Sequence, residues 1–210
     1  MITKTITVAG VNIDIYDGPI GISLSGGADS AILLHILLTH ATGPVHAFSC
    51  ASKAKHRVVP HIAITVIDKC MDLTGNTNVQ HHTYFVEQQT LPTWFDGLLK
   101  GIATFNLNMM YTGVTSLPPD QVLKTFKTPT PLYDKRDPNQ VRPRYHNNNT
   151  VHTPMFNVDK QQVAAMYKEL GVLDELYPLT RSCESWTLTS GHCGTCWWCE
   201  ERQWGFGRLK

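Results

Sequence analysis

Short apolar runs alternate with longer segments of helical periodicity along the first half of the chain. The apolar runs predict four strands, within residues 19–24, 44–49, 79–86 and 109–114. Between them, the spacing of apolar residues predicts helices within residues 31–38, 56–73 and 94–105. Because strands and helices alternate, the pattern predicts an α/β fold with a doubly wound parallel sheet. Ligands of such sheets bind beyond the carboxyl ends of the strands.

Two further elements flank this core. Residues 2–16 alternate weakly around a central Ala-Gly, which predicts a short hairpin. A helix is predicted near residues 160–170, because apolar side chains recur there along one helical face, at Val163, Met166, Tyr167 and Leu170. Asp159, with Gln162 three residues later, can cap the start of this helix, and Gly171 can end it.

Regular periodicity disappears between residues 117 and 154. Seven of the chain's twelve prolines fall in this stretch together with three consecutive asparagines, so turns are favoured over helices and strands. An irregular stretch of this length inside a compact domain is typical of a functional lid or a disordered insert. Because it follows the fourth strand at the ligand-binding edge of the sheet, we expect a lid that covers the substrate.

Composition narrows the class of protein. The 210 residues suit one hydrophobic core with a small appendage, and 42% hydrophobic residues exclude disorder as the main state. Eighteen Lys and Arg against seventeen Asp and Glu give a net charge of +1, so no strong field attracts nucleic acid or anionic lipid. The first six residues lack the apolar core of a signal peptide, and no apolar run approaches the roughly 18 residues of a membrane span. We therefore expect a soluble, cytoplasmic protein.

A glycine loop joins the first predicted core strand to the helix after it. Gly26 and Gly27 let the backbone approach a ligand closely, and the helix start directs unpaired N–H groups to the same place, which suits an anion. Ser25 and Ser30 add hydroxyl donors, and Asp29 among phosphates indicates an intervening magnesium ion. The loop lacks the lysine of a Walker A sequence and the spacing of a GxGxxG fingerprint. The alternative interpretation is a glycine-rich turn that merely caps the helix.

Four of the six cysteines crowd into seventeen residues near the end of the chain, at Cys183, Cys193, Cys196 and Cys199. Two overlapping CxxC units and one upstream thiolate suit a closed, structural zinc site. An iron–sulfur cluster also takes four cysteines, and disulfides are a third alternative. His192 is a candidate to replace one thiolate, whereas Cys50 and Cys70 are expected to be buried apolar residues rather than ligands.

The glycine loop resembles the SGGxDS signature of the PP-loop family of ATP pyrophosphatases, here Ser25-Gly26-Gly27-Ala28-Asp29-Ser30. The resemblance implies an α/β protein that binds the pyrophosphate of ATP in this loop. Such a protein activates a carboxylate or carbonyl oxygen as an adenylate, and releases pyrophosphate and then AMP. The ends of the second and fourth core strands are implied to lie near adenine and ribose. The implied ATP-binding residues are Ser25, Gly26, Gly27, Ala28, Asp29, Ser30, Phe48, Ser49 and Gly113.

The second half of the chain resembles one branch of that family, the 7-cyano-7-deazaguanine synthases of queuosine biosynthesis. These end in a C…CxxCxxC zinc site followed by an arginine and aromatic residues, which correspond here to the four cysteines, Arg202, Trp204 and Phe206. A lysine at a helix start corresponds to Lys160, which is therefore implied to contact phosphate and to act with Asp29 in catalysis. The implied reaction is an ATP-dependent ligation of ammonia to 7-carboxy-7-deazaguanine that yields an amide or a nitrile.

One segment departs from that branch. The synthases carry an acidic residue and a Tyr-Pro-Asp-Cys segment after the fourth strand, where this chain continues into residues 117–154. The exact 7-deazapurine is thus left open, and Arg142 and Arg144 are the candidates for binding its carboxylate. Two other functions also stay open. One is the transfer of sulfur to tRNA, which other PP-loop proteins perform, and the other is a non-catalytic module that binds a nucleotide or a partner.

These assignments divide the chain into an N-terminal hairpin (1–18), a PP-loop nucleotide-binding core (19–116), an irregular lid (117–154), a helical return to the core (155–182) and a zinc-binding segment (183–210). The implied partners are ATP, ammonia and a small 7-deazapurine substrate, with magnesium and structural zinc as cofactors. Membrane and nucleic-acid partners are not expected. A homodimer is left open.

Overall fold

A computed structural model describes residues 1–52, 58–87, 91–131, 144–183, 185 and 191–210. The strands in these residues are β1 (Ile2–Val8), β2 (Val11–Tyr16), β3 (Ile20–Ser23), β4 (Val45–Ser52), β5 (Val79–Val86), β6 (Met109–Thr112), β7 (Tyr145–His146) and β8 (Val151–His152). The α-helices are α1 (Ala28–His40), α2 (Val59–Thr74), α3 (Leu91–Phe105), α4 (Asp120–Leu123), α5 (Lys160–Glu169) and α6 (Trp197–Phe206). Each strand and helix that the periodicity predicts is present.

The central sheet has six strands in the order β5-β4-β3-β6-β8-β7. Neighbouring strands run parallel except for β7, which pairs antiparallel with β8 at one edge. Ser23, the last residue of β3, pairs with Phe48 on one side and with Thr112 on the other. The chain therefore leaves β3, β4 and β6 at one edge of the sheet, and the predicted fold class is confirmed.

Helices cover both faces of this sheet. One face packs against α1, α2 and α5 and includes Ile22 and Tyr111, which have no exposed area. The opposite face, with Phe48 and Met110, packs against α3 and its buried Leu98. Met110 and Tyr111 are neighbours that face different cores, because successive side chains of a strand alternate. Helix α1 is buried along most of its length, which explains why its sequence is apolar on nearly all sides.

The N-terminal hairpin is present and covers part of the α1 side of the molecule. Strands β1 and β2 pair antiparallel, and Val11, Ile13 and Ile15 of β2 are buried in the same core as α1. The Tyr111 hydroxyl of β6 donates to the Asp14 carbonyl at 2.7 Å and so fastens the hairpin to the sheet. Within the described part of the chain, no helix is both long and apolar enough to cross a membrane.

The end of the predicted insert belongs to the central sheet. β8 adds to the edge of β6, where the Met110 amide donates to the Thr150 carbonyl at 2.9 Å. The turn between β7 and β8 has positive φ angles at Asn147, Asn148 and Asn149, a conformation that asparagine tolerates better than most residues. The prediction of an irregular segment is wrong for these residues, because strands of two residues carry no detectable periodicity. Residues 132–143 of the insert lie outside the described residues.

Candidate active site

The glycine loop connects the end of β3 to the first turn of α1. Gly26 has a φ of +75°, and a Cβ at this position would lie 2.5 Å from the Ile62 side chain of α2, so the site requires glycine. Gly27 is the N-cap of α1 and has no side chain with which to bond the first amides of the helix. Uncapped amides at a helix start form an anion site, so the local geometry suits a phosphate group.

Two serine hydroxyls hold this loop together. The Ser25 and Ser30 hydroxyl oxygens lie 3.2 Å apart, the Gly27 amide donates to Ser25 Oγ at 3.3 Å, and Ser30 Oγ donates to the Gly27 carbonyl at 3.2 Å. Gly113, just after β6, passes so close to α1 that an added Cβ would lie 2.8 Å from the Ser30 amide nitrogen. The loop and the exit of β6 thus form one continuous surface.

A lysine from the second half of the chain reaches this loop. α5 begins at Lys160 behind a capping box in which Asp159 Oδ1 accepts from the amides of Gln161 and Gln162, at 2.9 and 3.0 Å. The Lys160 ammonium pairs with Oδ2 of Asp29 in the first turn of α1; the two side chains are 6% and 18% exposed. Asp29 Oδ1 is buried and has no hydrogen-bond partner among the described residues. The two predicted catalytic residues are therefore in contact, and Asp29 keeps one oxygen that suits a cation.

A second carboxylate, not identified from the sequence, faces the same ammonium. Glu201 of α6 has no exposed area, and its Oε2 lies 3.8 Å from Lys160 Nζ. α6 approaches α5 closely at Gly205, where an added Cβ would lie 2.3 Å from Lys160 Cβ. Glu201 and Gly205 are four residues apart and share a helix face, which the sequence does reveal. It does not reveal that this face packs on Lys160.

A buried arginine anchors the segment that borders the loop. The Arg202 guanidinium donates to the Thr180 hydroxyl at 2.9 Å and to the Tyr177 carbonyl at 3.0 Å. It also lies 3.8 Å from the centroid of the Tyr177 ring. Burial lowers the pKa of Arg202, but a guanidinium stays charged at neutral pH. The Arg181 amide in turn donates to the Gly26 carbonyl at 2.9 Å, so α6 supports the glycine loop through this segment as well.

The four clustered cysteines converge on one point, with all sulfur atoms within 4.8 Å of one another. Sulfur–sulfur distances are 3.5 Å for Cys196–Cys199, 3.9 Å for Cys193–Cys199 and 4.0 Å for Cys183–Cys196. A tetrahedral zinc ion with Zn–S bonds of about 2.3 Å separates its sulfurs by about 3.8 Å, so these residues fit one zinc ion. Disulfide sulfurs lie only about 2 Å apart, so disulfides do not describe this group.

The other candidates for this site stand outside the four-cysteine group. His192 does not belong to that group among the described residues, so the geometry favours Cys183 as the fourth ligand. The amides of Ser185 and Cys193 donate to Cys183 Sγ at 3.3 and 3.4 Å, as is common for metal-bound thiolates. Cys70 is fully buried, and burial raises its pKa to about 12, so its thiol stays protonated. That state matches its predicted role as a small apolar residue.

The residues expected near adenine and ribose divide into two groups. Gly113 lies against the loop, whereas the side chains of Phe48 and Ser49 are engaged in the core. The Phe48 ring lies 5.0 Å from the His82 ring, between centroids, on the α3 side of the sheet. The Ser49 hydroxyl is buried and donates to the Leu24 carbonyl at 2.9 Å. A nucleotide contact of Phe48 or Ser49 would therefore use the backbone, and it stays a prediction.

Neither arginine predicted to bind the substrate carboxylate has a described contact with the loop. Arg142 lies outside the described residues. The Arg144 guanidinium donates to the Asn12 carbonyl at 3.1 Å and so joins the start of β7 to the N-terminal hairpin. This hydrogen bond gives Arg144 a structural partner, and its role in substrate binding stays a prediction.

The beginning of the insert is fastened to the cysteine segment. The Glu200 carboxylate accepts hydrogen bonds from the amides of Lys127 and Thr128, at 2.7 and 2.9 Å. The Phe126 ring meets the Trp197 ring edge to face, with 5.9 Å between centroids. Partial burial would raise the pKa of Glu200, but the hydrogen bonds prevail and hold it below its ordinary value. The negative charge of Glu200 is thus part of what holds the insert to α6.

The fold and the site together define a class of protein, a parallel α/β protein with a glycine loop whose geometry suits a phosphate group and four cysteines that fit one zinc ion. Family models agree with this description. The model for asparagine synthase matches residues 15–98, which contain the loop. The model for queuosine biosynthesis protein QueC matches residues 138–210, which contain Lys160 and the four cysteines. Both matches support the similarity of this chain to the PP-loop family of ATP pyrophosphatases.

The chain is also similar to the 7-cyano-7-deazaguanine synthase of Magnetococcus marinus, with 27% identity across 87% of this chain and 90% of that protein. Among solved structures it is similar to NMN synthetase from Francisella tularensis, with 15% identity, a TM-score of 0.48, and coverage of 92% of this chain and 78% of the other. The chain is also similar to NH3-dependent NAD synthetase from Campylobacter jejuni, with 15% identity and a TM-score of 0.43. This match covers 77% of this chain and 66% of the other. The two family models and the Magnetococcus marinus relative confirm the resemblance stated from the sequence.

Proposed function

We propose that this protein is an ATP-dependent ligase that converts the carboxylate of a 7-carboxy-7-deazaguanine-like substrate into an amide or a nitrile. The observation that carries the proposal is the ion pair between Lys160 and Asp29 at the start of α1. It joins a phosphate-binding helix start, a cation and a carboxylate at one place. The similarity to a 7-cyano-7-deazaguanine synthase supports this substrate class.

In the first step, a carboxylate oxygen of the substrate bonds to the α-phosphorus of ATP, and the bond to pyrophosphate breaks. The first amides of α1 and the hydroxyls of Ser25 and Ser30 hold the leaving pyrophosphate, and Lys160 offsets the charge that develops on it. Ammonia then adds to the acyl carbon and loses a proton. AMP leaves with the former carboxylate oxygen, and the product is the amide.

A second cycle on the amide yields the nitrile. The amide oxygen bonds to the α-phosphorus of a second ATP, and pyrophosphate leaves again. Loss of AMP and of both amide protons then forms the carbon–nitrogen triple bond. Asp29, with one buried oxygen that no described residue bonds, fits a magnesium ion. When bound, that ion would neutralise charge on the phosphates.

The direct test incubates the protein with ATP, magnesium, ammonium and 7-carboxy-7-deazaguanine, followed by mass spectrometry. The expected products are the amide or the nitrile, with AMP and pyrophosphate in equal amounts. ATP cleavage that requires tRNA instead would favour sulfur transfer. ATP binding without any cleavage would favour a non-catalytic module, and either result contradicts the proposal.

Replacement of Asp29 tests the assignment of the loop. Asp29→Asn removes the charge that suits a magnesium ion, so we expect pyrophosphate release to fall by about 100-fold or more, several kcal/mol in the barrier. Asp159→Asn is the matched control, because asparagine caps a helix about as well as aspartate. It makes the same chemical change one residue before Lys160, and we expect activity near that of the wild type. Wild-type turnover in Asp29→Asn would contradict the assignment.

A further inference from the structure

The Lys160 ammonium lies between two carboxylates that differ in exposure. Asp29 contacts it from the glycine loop and is 18% exposed, whereas Glu201 lies 3.8 Å away and is completely buried. The three groups come from α1, α5 and α6, so only the tertiary fold brings them together. The ammonium therefore has one counter-ion at the ligand site and a second one inside the protein.

Burial of Glu201 requires an explanation. Removing a carboxylate from water costs several kcal/mol unless a cation and hydrogen bonds compensate, and a buried apolar residue of similar size would avoid that cost. The neighbouring cation, Arg202, directs its guanidinium toward Tyr177 and Thr180. Lys160 is a cation that the structure places beside the Glu201 carboxylate, with 3.8 Å between Nζ and Oε2. The pairing of Glu201 with Lys160 indicates that the negative charge of Glu201 itself has a function.

Nucleotide binding places conflicting demands on Asp29. Without a ligand, Asp29 neutralises Lys160; with magnesium and ATP, the same carboxylate must face a metal ion while the ammonium remains beside the phosphates. An ammonium with a single buried counter-ion is held tightly by it, because opposite charges attract strongly where water is excluded. A second carboxylate within reach lowers the cost of separating Lys160 from Asp29.

We propose that Glu201 is a positioning residue that retains the Lys160 ammonium and thereby releases Asp29 for magnesium. The inference rests on the proposed use of ATP at the glycine loop. It predicts a specific effect of Glu201→Gln, which keeps the size of the side chain and removes its charge. Asp29 should then hold Lys160 more tightly, so magnesium should strengthen ATP binding less than it does in the wild type.

The experiment measures ATP binding by isothermal titration calorimetry, with and without magnesium. For Glu201→Gln we expect the magnesium-dependent gain in ATP affinity to fall by about tenfold, the size of effect that loss of a buried counter-ion can produce. Affinity for ATP without magnesium should not weaken, because a negative charge near the phosphates has been removed. A merely structural role would weaken binding under both conditions.

Two further variants complete the design. Glu175→Gln makes the same chemical change at an exposed carboxylate that pairs with Lys69 at 2.9 Å, and it should bind ATP as the wild type does. Glu201→Asp keeps the charge but moves it away from Lys160, so its loss of magnesium-dependent gain should be smaller, about threefold. Thermal unfolding and zinc content of each variant are measured first. If Glu201→Gln does not fold, Glu201→Asp carries the test.

The outcomes separate this inference from the proposed function. An equal magnesium-dependent gain in the wild type and the Glu201 variants would overturn the inference and leave the proposed function intact. Equal weakening of ATP binding with and without magnesium would also overturn it. If the wild-type protein binds no ATP, with or without magnesium, both this inference and the proposed function are refuted.

Discussion

The glycine loop and the cysteine segment are built in different ways. The loop is formed by six consecutive residues, and its fit for an anion depends on glycine conformations and on the start of one helix. The cysteine segment draws its ligands from seventeen residues, and it is attached to the core through the packing of α6 on α5. Local backbone geometry thus shapes the first region, whereas the second depends on long-range packing and on thiols that fit one zinc ion.

This difference predicts how a substitution in one region affects the other region. A change in the loop should alter chemistry and leave most of the fold intact. A change in the cysteine segment should release α6, and with it Glu201 at Lys160 and the Arg202 anchor of the segment that contacts Gly26. The second region is therefore expected to influence the first, whereas the reverse influence should be weak.

The largest effect is expected from loss of a metal ligand. Cys196→Ala should abolish stoichiometric zinc binding and destabilise the protein by several kcal/mol, because metal binding energy is folding energy in so short a segment. Cys50→Ala, at a buried cysteine outside the group, is the matched control and should keep its zinc. Elemental analysis and thermal unfolding measure both. One zinc per chain and wild-type stability in Cys196→Ala would contradict the assignment.

A smaller effect, confined to the loop, is expected from Gly26→Ala. The new methyl group would be forced into a positive φ and would meet Ile62, so we expect a loss of about 2–4 kcal/mol together with weaker ATP binding. Gly75→Ala is the control, since Gly75 also has a positive φ, of +68°, but no heavy atom within 4 Å of an added Cβ. Its loss should be about 1 kcal/mol. Denaturant unfolding compares the two; equal losses would show that contact with Ile62 is unimportant.

The smallest effect concerns the contact between the insert and α6. Glu200→Ala should speed hydrogen exchange at the Lys127 and Thr128 amides at neutral pH and change global stability by only about 1 kcal/mol. The pKa of Glu200 is lowered in the folded protein, so its contribution is present above the ordinary value of 4.5 and is lost as the pH falls through the folded value. Mass spectrometry of exchange at several pH values measures this.

The control for that experiment is Glu175→Ala, which removes an exposed carboxylate of the ion pair with Lys69. It should leave exchange at residues 127 and 128 unchanged at every pH. If acid releases these two amides equally in the wild type and in Glu200→Ala, the Glu200 carboxylate does not hold the insert. The insert would then depend on the ring contact of Phe126 with Trp197.

Several features were accessible to sequence reasoning because their signals are local. The alternation of apolar runs predicted the strands and helices of the sheet, and the capping box at Asp159 is present as predicted. The spacing of the four cysteines predicted a group that could share one metal ion. The two-residue strands β7 and β8 were missed, because their pairing with β6 depends on an open sheet edge rather than on periodicity.

By itself, the sequence determined the first six strands along the chain, the position of the glycine loop and the identity of the four clustered thiols. Each of these features depends on residues close together in the chain, so their chemistry and spacing can be read directly from the amino-acid sequence. Only the tertiary structure decided that Glu201 meets Lys160, that Arg144 binds the hairpin and that Glu200 holds the insert. These contacts join residues 41, 132 and 73 positions apart, respectively, and the packing of distant elements, which no local pattern encodes, selects them.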